Sequence, residues 1–72
     1  MIIQEEVNLL ISKNIRELRI EGGESLQTLG ELLGVSNQQI SKMELGKTRI
    51  FAAQLAVLAD YYKIDISFFY KN

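Results

Sequence analysis

Neither cysteine nor histidine occurs in the 72 residues. That removes disulfides, thiolate chemistry and the usual zinc ligands, so no metal site is expected. Proline is absent and glycine is limited to five residues, which suits uninterrupted helices. No apolar run is long enough to span a membrane. The opening Met-Ile-Ile-Gln-Glu-Glu lacks the basic segment of a signal peptide, and a reduced, cytoplasmic setting is the expectation. Without His, Cys or a Gly-rich phosphate loop, only scattered carboxylates remain. No enzyme chemistry, cofactor or small-molecule ligand is therefore indicated.

Neither sign of charge dominates. Eight basic and nine acidic residues leave a net charge of −1, and the pI is near 5.3. The bulk positive field of many nucleic-acid binders is absent, so distribution decides. Lys42, Lys47 and Arg49 fall within eight residues, with Glu44 the only acid among them. Local positive potential and weak non-specific binding to polyanions are expected.

What is present is a 47% apolar fraction in a chain near the lower limit for a self-sufficient core. One all-α domain over residues 1–72, with five helices and no strand, is expected. Val7, Leu10, Ile11, Ile15 and Leu18 recur at three- and four-residue spacing and predict a first helix from about Gln4 to Glu21, closed by Gly22-Gly23. Ser25 can cap a second helix whose Leu26, Leu29, Leu32 and Leu33 face inward, ending at Gly34. Ser36 and Gln39 have the spacing of a capping box for a third helix, with Val35 and Ile40 as a staple and Gly46 as the stop. A fourth helix is predicted from Ala52 to Lys63. Asp65 can cap a short fifth one, with Ile64 stapled to Phe69.

The segment from about 25 to 46 thus reads as two short helices joined by a tight Gly34-Val35-Ser36 turn. The second has polar side chains on the face that cannot be core. Such a pair is a device for laying a helix in the major groove of duplex DNA. On the third helix, Ser36, Asn37, Gln38, Ser41 and Lys42 are the candidates for base contact. Asn and Gln can bond adenine N6 and N7 together, and Lys can donate to guanine O6 and N7. Gln39 ranks below Gln38 because capping occupies it.

These residues resemble the Cro/repressor, or xenobiotic-response-element, type of helix-turn-helix regulator, which has a lambda-repressor-like fold. The resemblance rests on Leu18-Arg19, Gly30, Gly34, Val35-Ser36, Ile40-Ser41, Glu44 and Gly46. It continues through Arg49-Ile50, Leu55, Leu58-Ala59, Ile64, Ile66 and Ser67-Phe68-Phe69. It implies an ion pair between Arg19 and Glu44 that fixes the recognition helix. It also implies that Lys47, Thr48 and Arg49 lie along the phosphates. Three positions depart from the pattern. Leu26 stands where glutamine touches phosphate, leaving that contact to Gln27. Phe51 replaces a capping serine, and Glu24 replaces an apolar residue near the phosphates. Lys13 and Arg16 could also reach a phosphate.

Ile66, Phe68, Phe69 and Tyr70 make an aromatic segment expected to serve a homodimer interface, where aromatics are enriched, with Tyr61 and Tyr62 contributing. The sequence therefore points to a sequence-specific regulator that binds double-stranded DNA as a homodimer on a palindromic operator. An antitoxin or a restriction–modification controller of the same fold remains open. So does a protein-interaction module that has lost DNA binding.

Overall fold

The structure is a computed structural model that describes residues 1–72. Four α-helices run in order: α1 (Gln4–Glu21), α2 (Leu26–Leu33), α3 (Asn37–Glu44) and α4 (Ala52–Tyr62). The segment Ile66–Tyr70 is a 3-10 turn, so the fold has four α-helices and a terminal 3-10 turn in place of five helices. Five residues are too few to sustain an α-helix between the turn at Lys63 and the last residues. Asp65 does cap this turn, its carboxylate accepting from the Ser67 N–H at 2.9 Å.

The helix ends follow local chemistry. Gly22 and Gly23 return N–H bonds to Leu18 O and Ile20 O, and Gly23 takes φ 70°. Ser25 Oγ accepts from Thr28 N at 3.1 Å at the start of α2. Ser36 Oγ accepts from Gln39 N at 3.1 Å at the start of α3. Phe51 has no side-chain oxygen, yet α4 gains half a cap, because Gln54 Oε1 accepts from Phe51 N at 3.0 Å. At its other end α4 stops on Lys63, the one non-glycine residue at positive φ, 56°.

Nine apolar side chains form the core: Ile11, Ile15, Leu29, Ile40, Met43, Leu55, Leu58, Ala59 and Phe69. They come from all four helices and the terminal turn, so no helix is an appendage. Helix α1 packs chiefly on the terminal turn and on α3, while α2 packs on α3 and touches α4. The approach of α2 to the α2–α3 turn depends on Gly30. A Cβ there would stand 2.6 Å from Val35 O, closer than packed atoms come. Buried side-chain nitrogen and oxygen atoms are all partnered. Asn14 supplies the main one, its Nδ2 donating to Phe69 O at 2.8 Å and Lys71 O at 2.9 Å. That side chain ties the terminal turn to the middle of α1.

Candidate nucleic-acid interface

The short helix α3 divides cleanly. Ile40, Met43 and Glu44 are buried, whereas Asn37, Gln38 and Lys42 are exposed and Ser41 is half-buried. Ser36, at the exposed N-cap, holds the first turn through its oxygen while lying at the edge of the same face. The five residues expected to read bases therefore share one accessible surface on one helix. Its side chains are hydrogen-bonding and carry one positive charge, on Lys42.

What fixes this helix is buried beneath it. Arg19 Nε donates to Glu44 Oε2 at 2.7 Å and Nη2 donates to Oε1 at 3.0 Å, a bidentate pair. The two side chains retain 17% and 5% of their exposure, which makes the pair structural rather than a solvated surface contact. The hydrogen bond to Glu44 raises the Arg19 pKa above its ordinary value, and desolvation only partly opposes it. The pairing has an electrostatic consequence outside the core. Glu44 is the one acid among the basic residues of this segment, and its charge is neutralised by Arg19. It does not oppose Lys42, Lys47 and Arg49.

The loop after α3 turns back on Gly46, at φ 75°, and lies against the first turn of the same helix. Gln39 Nε2 donates to Thr48 Oγ1 at 3.4 Å, and Asn8 Nδ2 donates to Thr48 O at 3.2 Å. The capping-box expectation for Gln39 is thereby corrected. Its backbone N–H takes the Ser36 cap, but its side chain reaches forward to the loop instead of back to Ser36. Lys47 and Arg49 are exposed on either side of the half-buried Thr48. Arg49 Nη1 also donates to Gln4 Oε1 at 3.0 Å, so the start of α1 braces this cation. Asn8 and Gln4 escaped the sequence reading because nothing local marks a polar residue on α1 as a support for a loop forty residues away.

Gln27 is exposed on the first turn of α2, while Leu26 is half-buried against the core. Lys13 and Arg16 are exposed, with Lys13 Nζ 4.0 Å from Glu17. The aromatic segment is split by the fold. Phe69 is fully enclosed in the core, which corrects its expected place in an interface: it offers no surface to a partner. Ile66 and Tyr70 remain exposed and Phe68 is half-buried. Tyr61 and Tyr62 are engaged elsewhere, both donating their hydroxyls to the Glu24 carboxylate.

Comparison with known proteins bears on this geometry. A family model described as helix-turn-helix matches residues 15–69. An uncharacterized HTH-type transcriptional regulator of Sinorhizobium medicae is 33% identical over 66 residues, covering 92% of this chain and 48% of the relative. One of Rickettsia conorii is 32% identical over 70 residues, covering 97% of this chain and 56% of the relative. The chain thus spans about half the length of the curated relatives it matches. Among solved structures, the restriction-modification controller protein C.AhdI from Aeromonas hydrophila superposes with a TM-score of 0.74 at 24% identity. That match covers 85% of this chain and 92% of the other, and shows a shared fold. No helix is long and apolar enough to cross a membrane. From the matched motif and these bacterial relatives, the chain belongs to the helix-turn-helix family of Cro/repressor (xenobiotic-response-element) type, a family of DNA-binding transcriptional regulators.

Proposed function

We propose that residues 1–72 act as one sequence-specific DNA-binding domain that seats α3 in the major groove, as a homodimer on a palindromic operator. The observation that carries this is the division of α3. Its inward face is locked by Ile40, Met43 and the Arg19–Glu44 pair, while Ser36, Asn37, Gln38, Ser41 and Lys42 stand on the other side. A helix held that firmly and decorated with adenine- and guanine-compatible groups is suited to reading base edges. Lys47, Thr48 and Arg49 anchor to the phosphates on one side, and Gln27 does so from the start of α2. Thr48 contributes its backbone more than its side chain, which Gln39 engages.

Dimerisation follows from what one such helix can read. A single module covers few base pairs. Two related by a twofold axis place recognition helices about 34–36 Å apart on successive turns. Ile66, Phe68 and Tyr70 supply the apolar contact. The near-neutral charge supports a regulator that binds its operator without coating DNA generally.

Selection from random duplexes with the purified chain tests the reading. An enriched, inverted-repeat sequence that shifts in a gel supports it. Recovery of unenriched sequence at every round overturns it in favour of a protein-interaction module, the reading that the net charge of −1 would then fit.

A further inference from the structure

Glu24 is the residue that the proposed reading leaves unused. It lies between α1 and α2, immediately before the Ser25 cap, and is half-buried. Its carboxylate accepts from Tyr62 Oη at 2.6 Å through Oε1 and from Tyr61 Oη through Oε2. The two phenol rings meet edge to face with centroids 5.1 Å apart, so they form one unit at the end of α4. On the backbone side, Glu24 O accepts from Arg19 Nη1 at 3.0 Å, and Glu24 N donates to Arg19 O at 3.0 Å. Arg19 in turn holds Glu44 at the end of α3.

A continuous polar chain therefore runs from the end of α3, through the end of α1 and the start of α2, to the end of α4. Its links are 25, 5 and 37–38 residues apart in sequence. No other ion pair or side-chain hydrogen bond joins the α2–α3 unit to α4. Two hydroxyl donors on one carboxylate also fix the position of Glu24 in a way that one apolar contact would not.

We infer that Glu24 is a specificity-determining positioning residue. Clamped by Tyr61 and Tyr62, it sets the angle of the α2–α3 reading unit relative to α4 and the Ile66–Tyr70 turn that follows it. In a dimer joined through that turn, this angle sets the distance between the two recognition helices. It therefore sets the half-site spacing that the protein accepts. The inference rests on the homodimeric reading above. Its substrate is a two-half-site duplex of one spacer length, discriminated from duplexes one base pair longer or shorter. Each inserted pair displaces one half-site by about 3.4 Å and rotates it by about one tenth of a turn.

The test is a spacer series on the selected inverted repeat, with one- and two-pair insertions and deletions, plus a single half-site duplex. Wild type is compared with Glu24→Ala and with the double variant Tyr61→Phe/Tyr62→Phe, which keeps both rings and removes only the hydroxyls. Wild type is expected to favour one spacer by at least about tenfold, the scale of one mismatched contact. Both variants should flatten that preference to about threefold or less, with half-site affinity kept within about twofold.

Should Glu24→Ala fold poorly, the double phenylalanine variant carries the same comparison. If the variants retain the wild-type spacer preference, the clamp does not set spacing and the inference is overturned. The same holds if affinity for every duplex, half-site included, falls in parallel, since Glu24 then serves stability alone. If wild type itself shows no spacer preference, the dimeric reading fails and the inference falls with it.

Discussion

Arg19 and Glu44 meet edge to edge across the gap between α1 and α3, joined by two parallel hydrogen bonds of 2.7 and 3.0 Å. The geometry explains how an eight-residue helix keeps a fixed pose. So short a helix is not stable by itself, and its orientation comes from what it packs on. Ile40 and Met43 bury its inward face, and the guanidinium bonded twice to a carboxylate adds a directional restraint that apolar contacts lack.

Replacing Glu44 by Ala leaves Arg19 with its bond to Glu24 O and no counter-ion. Removing one member of a buried pair costs about 3–5 kcal/mol, and the residual exposure of Arg19 places the expected loss near the lower bound. Denaturant unfolding of the variant should show a lower midpoint. An unchanged midpoint would mean that the pair contributes no net stability.

Asn14 gathers carbonyl oxygens that a 3-10 turn leaves open. Asn14→Ala strands Phe69 O and Lys71 O, one of them in a buried contact. A loss of about 1–3 kcal/mol is expected. Amide exchange should locate it, because protection should fall first across residues 66–70 rather than in α2 or α3.

Lys63 ends α4 in the left-handed region at φ 56°, which disfavours any residue with a Cβ. Glycine at C′ relieves that conformational cost. Lys63→Gly is expected to raise stability by up to about 1 kcal/mol, the gain being limited by glycine's greater freedom in the unfolded chain. A lowered melting temperature would contradict this.

The tyrosine pair gives stability a pH dependence at the alkaline end. Burial, then the bond to Glu24, raises the Tyr62 pKa well above its ordinary value, and the bond to Glu24 raises that of Tyr61. Both groups are neutral and donating in the fold. Their contribution is complete below the unfolded-state pKa of about 10 and is lost as pH rises above it. Phenolate absorbance should therefore show Tyr62 ionising only as the chain unfolds. The Tyr61→Phe/Tyr62→Phe variant should lack that component of alkaline destabilisation.

Helix positions were legible where one residue's chemistry decides them. The spacing of Val7, Leu10, Ile11, Ile15 and Leu18 marks α1, and Ser25, Ser36 and Asp65 cap as their side chains dictate. The division of α3 was legible for the same reason, since Ile40 and Met43 leave one face for polar groups. The Arg19–Glu44 pair came from family resemblance, because nothing local distinguishes a buried arginine from a solvated one. Phe69 was misplaced because adjacent aromatics carry no periodicity in a five-residue turn, so core and surface members look alike. The Glu24 clamp and the Asn14 contacts were invisible. Their partners lie more than thirty residues away, and only the packed fold brings the hydroxyls and carbonyls within reach.

Reading and anchoring should separate experimentally if α3 and the loop after it have the proposed roles. Gln38 is exposed, unpaired within the protein, and one turn from Lys42 on the same face. Gln38→Ala should cost about 1–3 kcal/mol on the selected operator, relax preference at one base pair and leave scrambled duplex unaffected. Arg49 is also exposed, but Gln4 Oε1 accepts from its guanidinium, which suits a positioned phosphate contact. Arg49→Ala should weaken operator and scrambled duplex by the same factor and lower the slope of log affinity against log salt by about one. Gln4→Ala, which removes the brace but no charge, should keep that slope while weakening both duplexes slightly. Titrations of all three variants on both duplexes at several salt concentrations measure these quantities together. Equal losses on operator and scrambled DNA for Gln38→Ala would mean that α3 does not read bases. An unchanged salt slope for Arg49→Ala would remove that residue from the phosphate track.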